Sequence, residues 1–500
     1  MGIMRKRGLS LVSFVALAAF AGLLVSNIGT TYVQKRTFQS SDFNAFAKDQ
    51  SSPLAGMNFS KPKDVWSKDG ILRTSLVAAF HSGKVDGQPV TAMLYNGSLP
   101  GPTLHVYPGE RIELNLINNL NESTNLHFHG FHVSPANNSD NVLLEIPPGK
   151  TQHYTVDIPI DHPIGTDWYH PHLHHFTYPQ VSAGLSGLLI VEGLQKLLPK
   201  PLQNITTQNI AMRDFPFDQL YVYTHNSIVP LSNTNTGHER LTVNGEVNPI
   251  INITSGETQL WRLANIGPEN WLHVRSPFPG QPFHVIAQDG YPVWQVWSND
   301  TLNIPSGSRF DVLVTATGNG SIPFTTVKNS SYTDPYDNLI ATVNVQGNLE
   351  AVEHVNVIPT TLPYLKKDLN NATIAAHRVI NFSSNDRDWI YGLNNKTFNP
   401  NRIAEKVKLG TVEEWKLVNL DKLPIGFDHP FHIHTNDFQV MSINGRPYHA
   451  HGLQDTVNVP VGGNVVVRIP FNDYVGISVY HCHLLFHEDY GMMNAFEIVK

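Results

Sequence analysis

The chain runs to 500 residues, 41% of them hydrophobic and only 15% charged, which is more than one core usually needs and implies roughly two to four domains. A formal net charge of -7 without a long basic run argues against nucleic acid as a partner, since phosphate binding needs clustered Lys and Arg. The single cysteine, Cys482, excludes an intramolecular disulfide and must be explained in another way.

At the N-terminus Arg5, Lys6 and Arg7 precede an apolar stretch from Leu9 to Val25 that no charge interrupts. A basic segment before an apolar one reads as an export signal, so residues 1–25 are expected to be a signal peptide or N-terminal anchor. The stretch is near the lower limit for a membrane span and Ala16-Leu17-Ala18 is a weak cleavage site. Cleavage is favoured, and membrane attachment through residues 9–25 stays open. The protein is therefore expected to be exported, periplasmic or secreted, and monomeric. Residues 26–59, rich in Ser, Asn and Gln, read as a linker.

Further along, one phrase occurs three times: Gly109-Glu110 through Leu116 to Asn118, Gly256-Glu257 through Leu263 to Asn265, and Gly410-Thr411 through Leu417 to Asn419. A second follows it each time, at Pro147-Pro148-Gly149, Pro305-Ser306-Gly307 and Pro460-Val461-Gly462. Solenoid repeats have a period of about 20–50 residues, so these much longer intervals mark three related domains, placed at 60–197, 198–350 and 351–500. Runs such as Asp311-Val312-Leu313-Val314 and Val465-Val466-Val467-Arg468-Ile469, bounded by Gly, Pro, Asn and Asp, read as strands, and no long amphipathic helix stands out. The fold class is all-β, with a Greek-key β-sandwich or barrel in each domain.

Four clusters hold ten histidines: His127-Phe128-His129, His170-Pro171-His172, His429-Pro430-Phe431-His432-Ile433-His434, and His481-Cys482-His483 with His487. On a strand, side chains at i and i+2 leave the same face about 6.5–7 Å apart, so each His-x-His offers two imidazoles in one direction. Gly165-x-x-x-Tyr169-His170-x-His172 matches Gly476-x-x-x-Tyr480-His481-x-His483 in form, and His127-x-His129 matches His432-x-His434. The middle domain has His273-Val274-Arg275 and the histidine-free run from Gly320 to Val327 instead. Domains 1 and 3 are thus expected to share one metal cluster, with domain 2 mainly a spacer.

A lone histidine, or one His-x-His, is more often structural than functional, but four pairs in matched positions around the only cysteine are not. By the same alternation His481 and His483 face one way and Cys482 the other, so one strand joins two sites. A thiolate, two imidazoles and a weak axial thioether form the ligand set of a blue-copper centre, and Cys482, His487 and His429 with Met492 can supply it. Zinc is the next alternative, yet it gives no reason to wire a thiolate to a histidine cluster.

His127-Phe128-His129-Gly130, Trp168-Tyr169-His170-Pro171-His172, the segment from His429 to His434, and His481-Cys482-His483 with His487 and Met492 resemble the four copper motifs of the multicopper oxidases, a group that includes laccases and bacterial copper-efflux oxidases. The resemblance covers nearly the whole chain after about residue 60, including Asn96-Gly97-Ser98-Leu99-Pro100-Gly101-Pro102. It implies three consecutive cupredoxin-like domains and four copper ions: one type 1, held by His429, Cys482, His487 and Met492; one type 2, held by His127 and His432; and a type 3 pair, held by His129, His170 and His483 and by His172, His434 and His481. It also implies one-electron oxidation of a small reducing substrate coupled to four-electron reduction of dioxygen to water. Oxygen reduction consumes protons, and Glu488 and Asp140 are similar in placement to the family's relay acids.

Departures from the pattern bear on the substrate. The methionine-rich insertion of copper-efflux oxidases is missing, with no Met between Met212 and Met441, and Phe486 stands where some relatives carry an acidic residue. His174 and His175 follow the second motif and read as neighbours of the site or surface groups. Phenols or aromatic amines, laccase type, are therefore the expected donors; a metallo-oxidase for Cu(I), Fe(II) or Mn(II) is the alternative, because Glu488 and Asp489 lie beside His487. A non-catalytic scaffold and a copper nitrite reductase fit less well, since the ligand set is complete.

Overall fold

The computed structural model describes residues 61–500 apart from 217–220, 225–226, 231–238, 328–338, 348–357, 366, 386–389 and 424–425. The expected export segment and linker, residues 1–59, lie outside the described residues. Among the described residues, no helix is long and apolar enough to cross a membrane.

Strands dominate, and their sheets pair into three successive sandwiches. In the first, Gln88–Tyr95, Ile71–Val85, Arg111–Asn118 and Thr151–Asp157 form a four-stranded sheet opposite a five-stranded one that ends in Gly187–Val191, Gly165–His170 and His127–His129. Six- and five-stranded sheets make the second, and sheets of the same sizes make the third. All three repeat one topology: an early strand pairs in parallel with the strand that carries the repeated Gly-to-Asn phrase, as Ile71–Val77 does with Arg111–Ile117, Thr207–Met212 with Leu260–Asn265, and Ile374–Phe382 with Val412–Asn419. The expected strands at Asp311–Val314 and Val465–Ile469 lie within Arg309–Thr315 and Asn464–Phe471.

The repeated phrases have a physical reason. Asn118 donates from Nδ2 to the carbonyls of Glu122 and Ile146, both at 2.8 Å, while its Oδ1 accepts the N–H of Leu120. Asn265 does the same with Asn270, Ile304 and Gly267, and Asn419 with Phe427, Val459 and Asp421. Ile146, Ile304 and Val459 each precede the Pro of the second phrase, so one buried amide ties the two repeated segments together in every sandwich. Such an amide satisfies backbone groups that no ladder reaches, and losing it strands them away from water.

Outward-facing strands alternate, as Asn464–Phe471 does between half-buried and buried positions, whereas Gly187–Val191 and His429–Ile433 are buried throughout because another sandwich covers their second face. Trp168, Leu188 and Ile190 pack on Ala211, Ala264 and Ile266 between the first and second sandwiches, and Val142 packs on Val479, Met493 and Ala495 between the first and third. A polar tie adds to the latter contact: His132 Nδ1 lies 2.5 Å from the Thr435 carbonyl and Nε2 lies 2.9 Å from Asp473 Oδ2.

Asn118→Ala should therefore lower stability by about 2–4 kcal/mol through its stranded partners, read as a lower denaturant midpoint at unchanged slope. The His132 tie makes a pH-dependent contribution. Burial alone would lower the imidazole's pKa, but the Asp473 carboxylate, the Asp437 charge and the Thr435 carbonyl outweigh it and raise the pKa above 6.5. A raised pKa stabilises fully below the ordinary value and is lost as pH climbs through the folded one, while the depressed Asp473 contributes above 3.8 and is lost as pH falls. The thermal-midpoint gap between the parent and His132→Ala should be widest between these limits and close at alkaline pH; a gap flat with pH would refute the tie.

Candidate metal centre

The ladders set the histidines in place before any side chain chooses a rotamer. His127 pairs with His170 on neighbouring strands of the first sandwich's five-stranded sheet, and His432 pairs with His481 in the third, so the same pairing recurs in two domains. The two sets meet face to face: His129 stacks on His432 with ring centroids 3.9 Å apart, and His127 stacks on His434 at 3.8 Å. His483 closes the group, 4.8 Å from His129 and 5.8 Å from His170 between centroids. All seven of these imidazoles are buried, and so is His172.

Several sets of donors come together. Nε2 of His172 and Nε2 of His434 each lie 3.1 Å from Nε2 of His481, and the three rings could hold one ion. On the opposite face of the same strand, Cys482 Sγ lies 3.4 Å from His429 Nδ1 and 3.8 Å from His487 Nδ1. Met492 is fully buried in the core around Cys482, and its carbonyl accepts the Cys482 N–H at 3.0 Å. His127 groups with His432 and His434 and also with His129 and His170, so it stands between the first and third sandwiches' donors.

The residues fit a bound cation. Nε2 of His127, His170, His432 and His483 and both ring nitrogens of His129 are buried without a hydrogen-bond partner. The other nitrogens are held: His127 Nδ1 by Asp140 at 2.9 Å, His170 Nδ1 by the Pro171 carbonyl at 2.8 Å, and His432 Nδ1 by the Asp455 carbonyl at 3.0 Å. Holding one ring nitrogen fixes the tautomer and aims the other lone pair inward. Burial first, then the neighbouring imidazoles, pushes His127, His129, His172, His434, His481 and His483 well below the usual pKa, so they stay neutral and free to bind metal. A soft thiol beside two imidazoles suits copper, as does the imidazole cluster.

Both expected acids are buried. Asp140 also accepts the Phe128 N–H at 2.9 Å and is pushed up to about 8 by burial. Glu488 lies 3.5 Å from His172 Nε2 and 3.1 Å from His481 Nδ1, and burial raises it well above the usual range. Asp489 also turns inward, accepting the N–H groups of His175 and Tyr178 at 2.7 Å. His174 packs on Phe398 and joins no donor group among the described residues.

Sequence reasoning missed five residues. Asp421 Oδ2 lies 3.0 Å from His429 Nε2, turning Nδ1 towards the thiol, and also accepts from Ser384. Asp455 bears on His129 and His432, and Ser306 Oγ lies 3.2 Å from His483 Nδ1. Arg309 joins Asp167 to Asp455, so the middle sandwich is more than a spacer. The repeats carried a signal for two of these, since Asp421 follows the repeated Asn419 and Ser306 lies inside the second phrase.

Asp421→Ala leaves His429 free to rotate. It should weaken metal retention at the thiol site by about 10–100-fold, followed by titration of the thiolate-to-copper absorption, with uptake at the histidine cluster unchanged.

Comparison with known proteins agrees with this geometry. Three family models, each described as multicopper oxidase, match residues 79–196, 216–341 and 369–500. The chain is 28% identical to a multicopper oxidase of Staphylococcus aureus over 81% of this chain and 83% of that one. It is 27% identical to a bilirubin oxidase of Albifimbria verrucaria, over 80% and 72% of the two chains. Its fold is similar to that of a Campylobacter jejuni multicopper oxidase described as a metallo-oxidase, with a TM-score of 0.71 at 24% identity over 90% of this chain and 98% of that one. The matches fall on all three sandwiches and on the segments that carry the converging histidines and Cys482, and the chain belongs to the multicopper oxidases, copper-dependent oxidoreductases that pass electrons from a reducing substrate to oxygen.

Proposed function

We propose that this oxidase takes electrons singly from phenols or aromatic amines at the edge of His487, in the manner of a laccase. The observation that carries the proposal is the surround of that histidine. Tyr391 stacks on its ring at 4.4 Å, Phe427 meets it at 6.0 Å, and Phe486 and Tyr490 pack beside Tyr391. His487 is itself 6% exposed, so only a donor that lies against this aromatic rim comes close to it. Glu488 and Asp489, which could have formed an acidic metal-docking edge, are 0% and 2% exposed and face the interior.

His429, Cys482, His487 and Met492 would hold a type 1 ion, His127 and His432 a type 2 ion, and two sets a type 3 pair: His129, His170 and His483, and His172, His434 and His481. When bound, copper supplies one-electron acceptance at the thiolate and four-electron reduction of dioxygen at the histidine cluster. Cys482 sits between His481 and His483, so the backbone itself is a short covalent path between the two centres. Each electron delivered to oxygen requires a proton, and the contacts of Glu488 with His172 and His481, and of Asp140 with His127, support these two carboxyls as its donors.

A metal ion, Cu(I), Fe(II) or Mn(II), as donor is the second reading. Oxygen uptake by the copper-loaded protein, with a bulky phenol, Cu(I) and Fe(II) at matched concentrations, separates the two. Faster uptake with the phenol is expected, falling about tenfold in kcat/KM when Phe486→Asp breaks the rim and vanishing in Cys482→Ser. Preference for either metal ion would move the assignment to a metallo-oxidase.

A further inference from the structure

Among the described residues the middle sandwich lends the centre no histidine, yet one of its side chains is the meeting point of all three domains. Arg309, fully buried, heads the strand Arg309–Thr315. Its Nη2 lies 2.6 Å from Oδ1 of Asp167 in the first sandwich and 2.8 Å from Oδ2 of Asp455 in the third, while Nη1 donates to Asp455 Oδ1 at 3.0 Å. Nε donates to the Thr166 carbonyl at 2.9 Å and Nη1 also to the Gly307 carbonyl at 3.1 Å. Within its own sandwich Asp289 accepts the Arg309 N–H at 2.9 Å. A planar guanidinium filled in this way fixes direction as well as charge, which a lysine would not.

Asp455 passes that placement to the cluster. Its Oδ1 lies 3.4 Å from His129 Nε2 and 3.4 Å from His432 Nδ1, and its carbonyl accepts from the same His432 nitrogen at 3.0 Å. One residue thus bears on a histidine from each of the two sandwiches. The backbone yields to this arrangement: Gly130, directly after His129, has φ 92°, and a Cβ there would collide with Arg309 Nη2 and Asp167 Oδ1. Gly307, whose carbonyl Arg309 holds, has φ 89° and so little clearance that a Cβ would stand 2.9 Å from the His483 ring.

We propose that Arg309 is a positioning residue for the histidine cluster: through Asp455 and Asp167 it sets the separation and ring orientation of the pairs that the first and third sandwiches bring. The proposal rests on the reading of that cluster as the copper site of oxygen reduction and extends it to the middle sandwich. The thiolate site, on the far face of the Gly476–Cys482 strand, serves as an internal reference.

The test compares the parent with Arg309→Met, Arg309→Lys and Asp167→Asn, reading copper affinity, the type 2 electron paramagnetic resonance signal and the thiolate-to-copper absorption. Arg309→Met is expected to keep the thiolate absorption while the cluster loses about 10–100-fold in copper affinity and its type 2 signal shifts. Arg309→Lys should recover part of that loss, and Asp167→Asn should show a smaller one of the same kind. Unchanged cluster affinity and signal in folded variants, or equal losses at both sites, would overturn the proposal. Should Arg309→Met not fold, the isosteric Asp167→Asn decides in the same way. A parent that takes up no copper at the histidines sinks the underlying reading as well, whereas a parent that does, matched by its variants, sinks the positioning role alone.

Discussion

Successive side chains on a strand leave opposite faces, and along Gly476–Cys482 and the residue that follows it this alternation governs the whole molecule. His481 and His483 go to the cluster between the first and third sandwiches, and Cys482 goes to the core of the third. One strand thus carries donors of both centres, and the third sandwich has to present one face to a neighbour and keep the other for itself. The first sandwich answers with the same pairing of neighbouring strands, His127 opposite His170, so its histidines arrive at the same depth.

Burying so many ring nitrogens without partners is costly unless something satisfies them. The protein limits that cost by anchoring the remote nitrogen of His127, His170, His432, His481 and His483 on a carbonyl, carboxylate or hydroxyl and by keeping the rings neutral through burial. What is left is a set of inward lone pairs whose free energy of burial is recovered when metal binds, so metal loading and stability are coupled. Carboxylates sharpen the arrangement: Asp421 at the thiol site, Asp140 behind His127, and Asp455, which burial alone would raise but which Arg309 and His432 hold well below the usual range.

Three sandwiches of one topology serve this purpose differently. The buried Asn118, Asn265 and Asn419 tie the same two segments together in each, which keeps the scaffold constant while the neighbouring positions diverge. After Asn419 the turn presents Asp421 to His429; after Asn265 it presents the segment that meets the third sandwich, where the Leu485 N–H bonds the Pro268 carbonyl. The middle sandwich contributes a guanidinium that joins its two neighbours.

Much of this was legible in the chain itself. Period-two histidine pairs and a lone cysteine between two of them define donors because alternation is a local property of strands, and repeated phrases give the domain number because each encodes the same local hydrogen bonds. Which histidines face each other across domains, and that Arg309, Asp167 and Asp455 converge from three sandwiches, depends on packing between segments far apart in the chain, which no local pattern carries. The acidic pair beside His487 shows the limit most clearly. In sequence Glu488 and Asp489 read as an acidic edge, but a helix turns about 100° per residue, so the short helix Leu485–Asp489 sends neighbours in different directions, and only its packing against the helix Thr177–Ser182 decides that both carboxylates point inward.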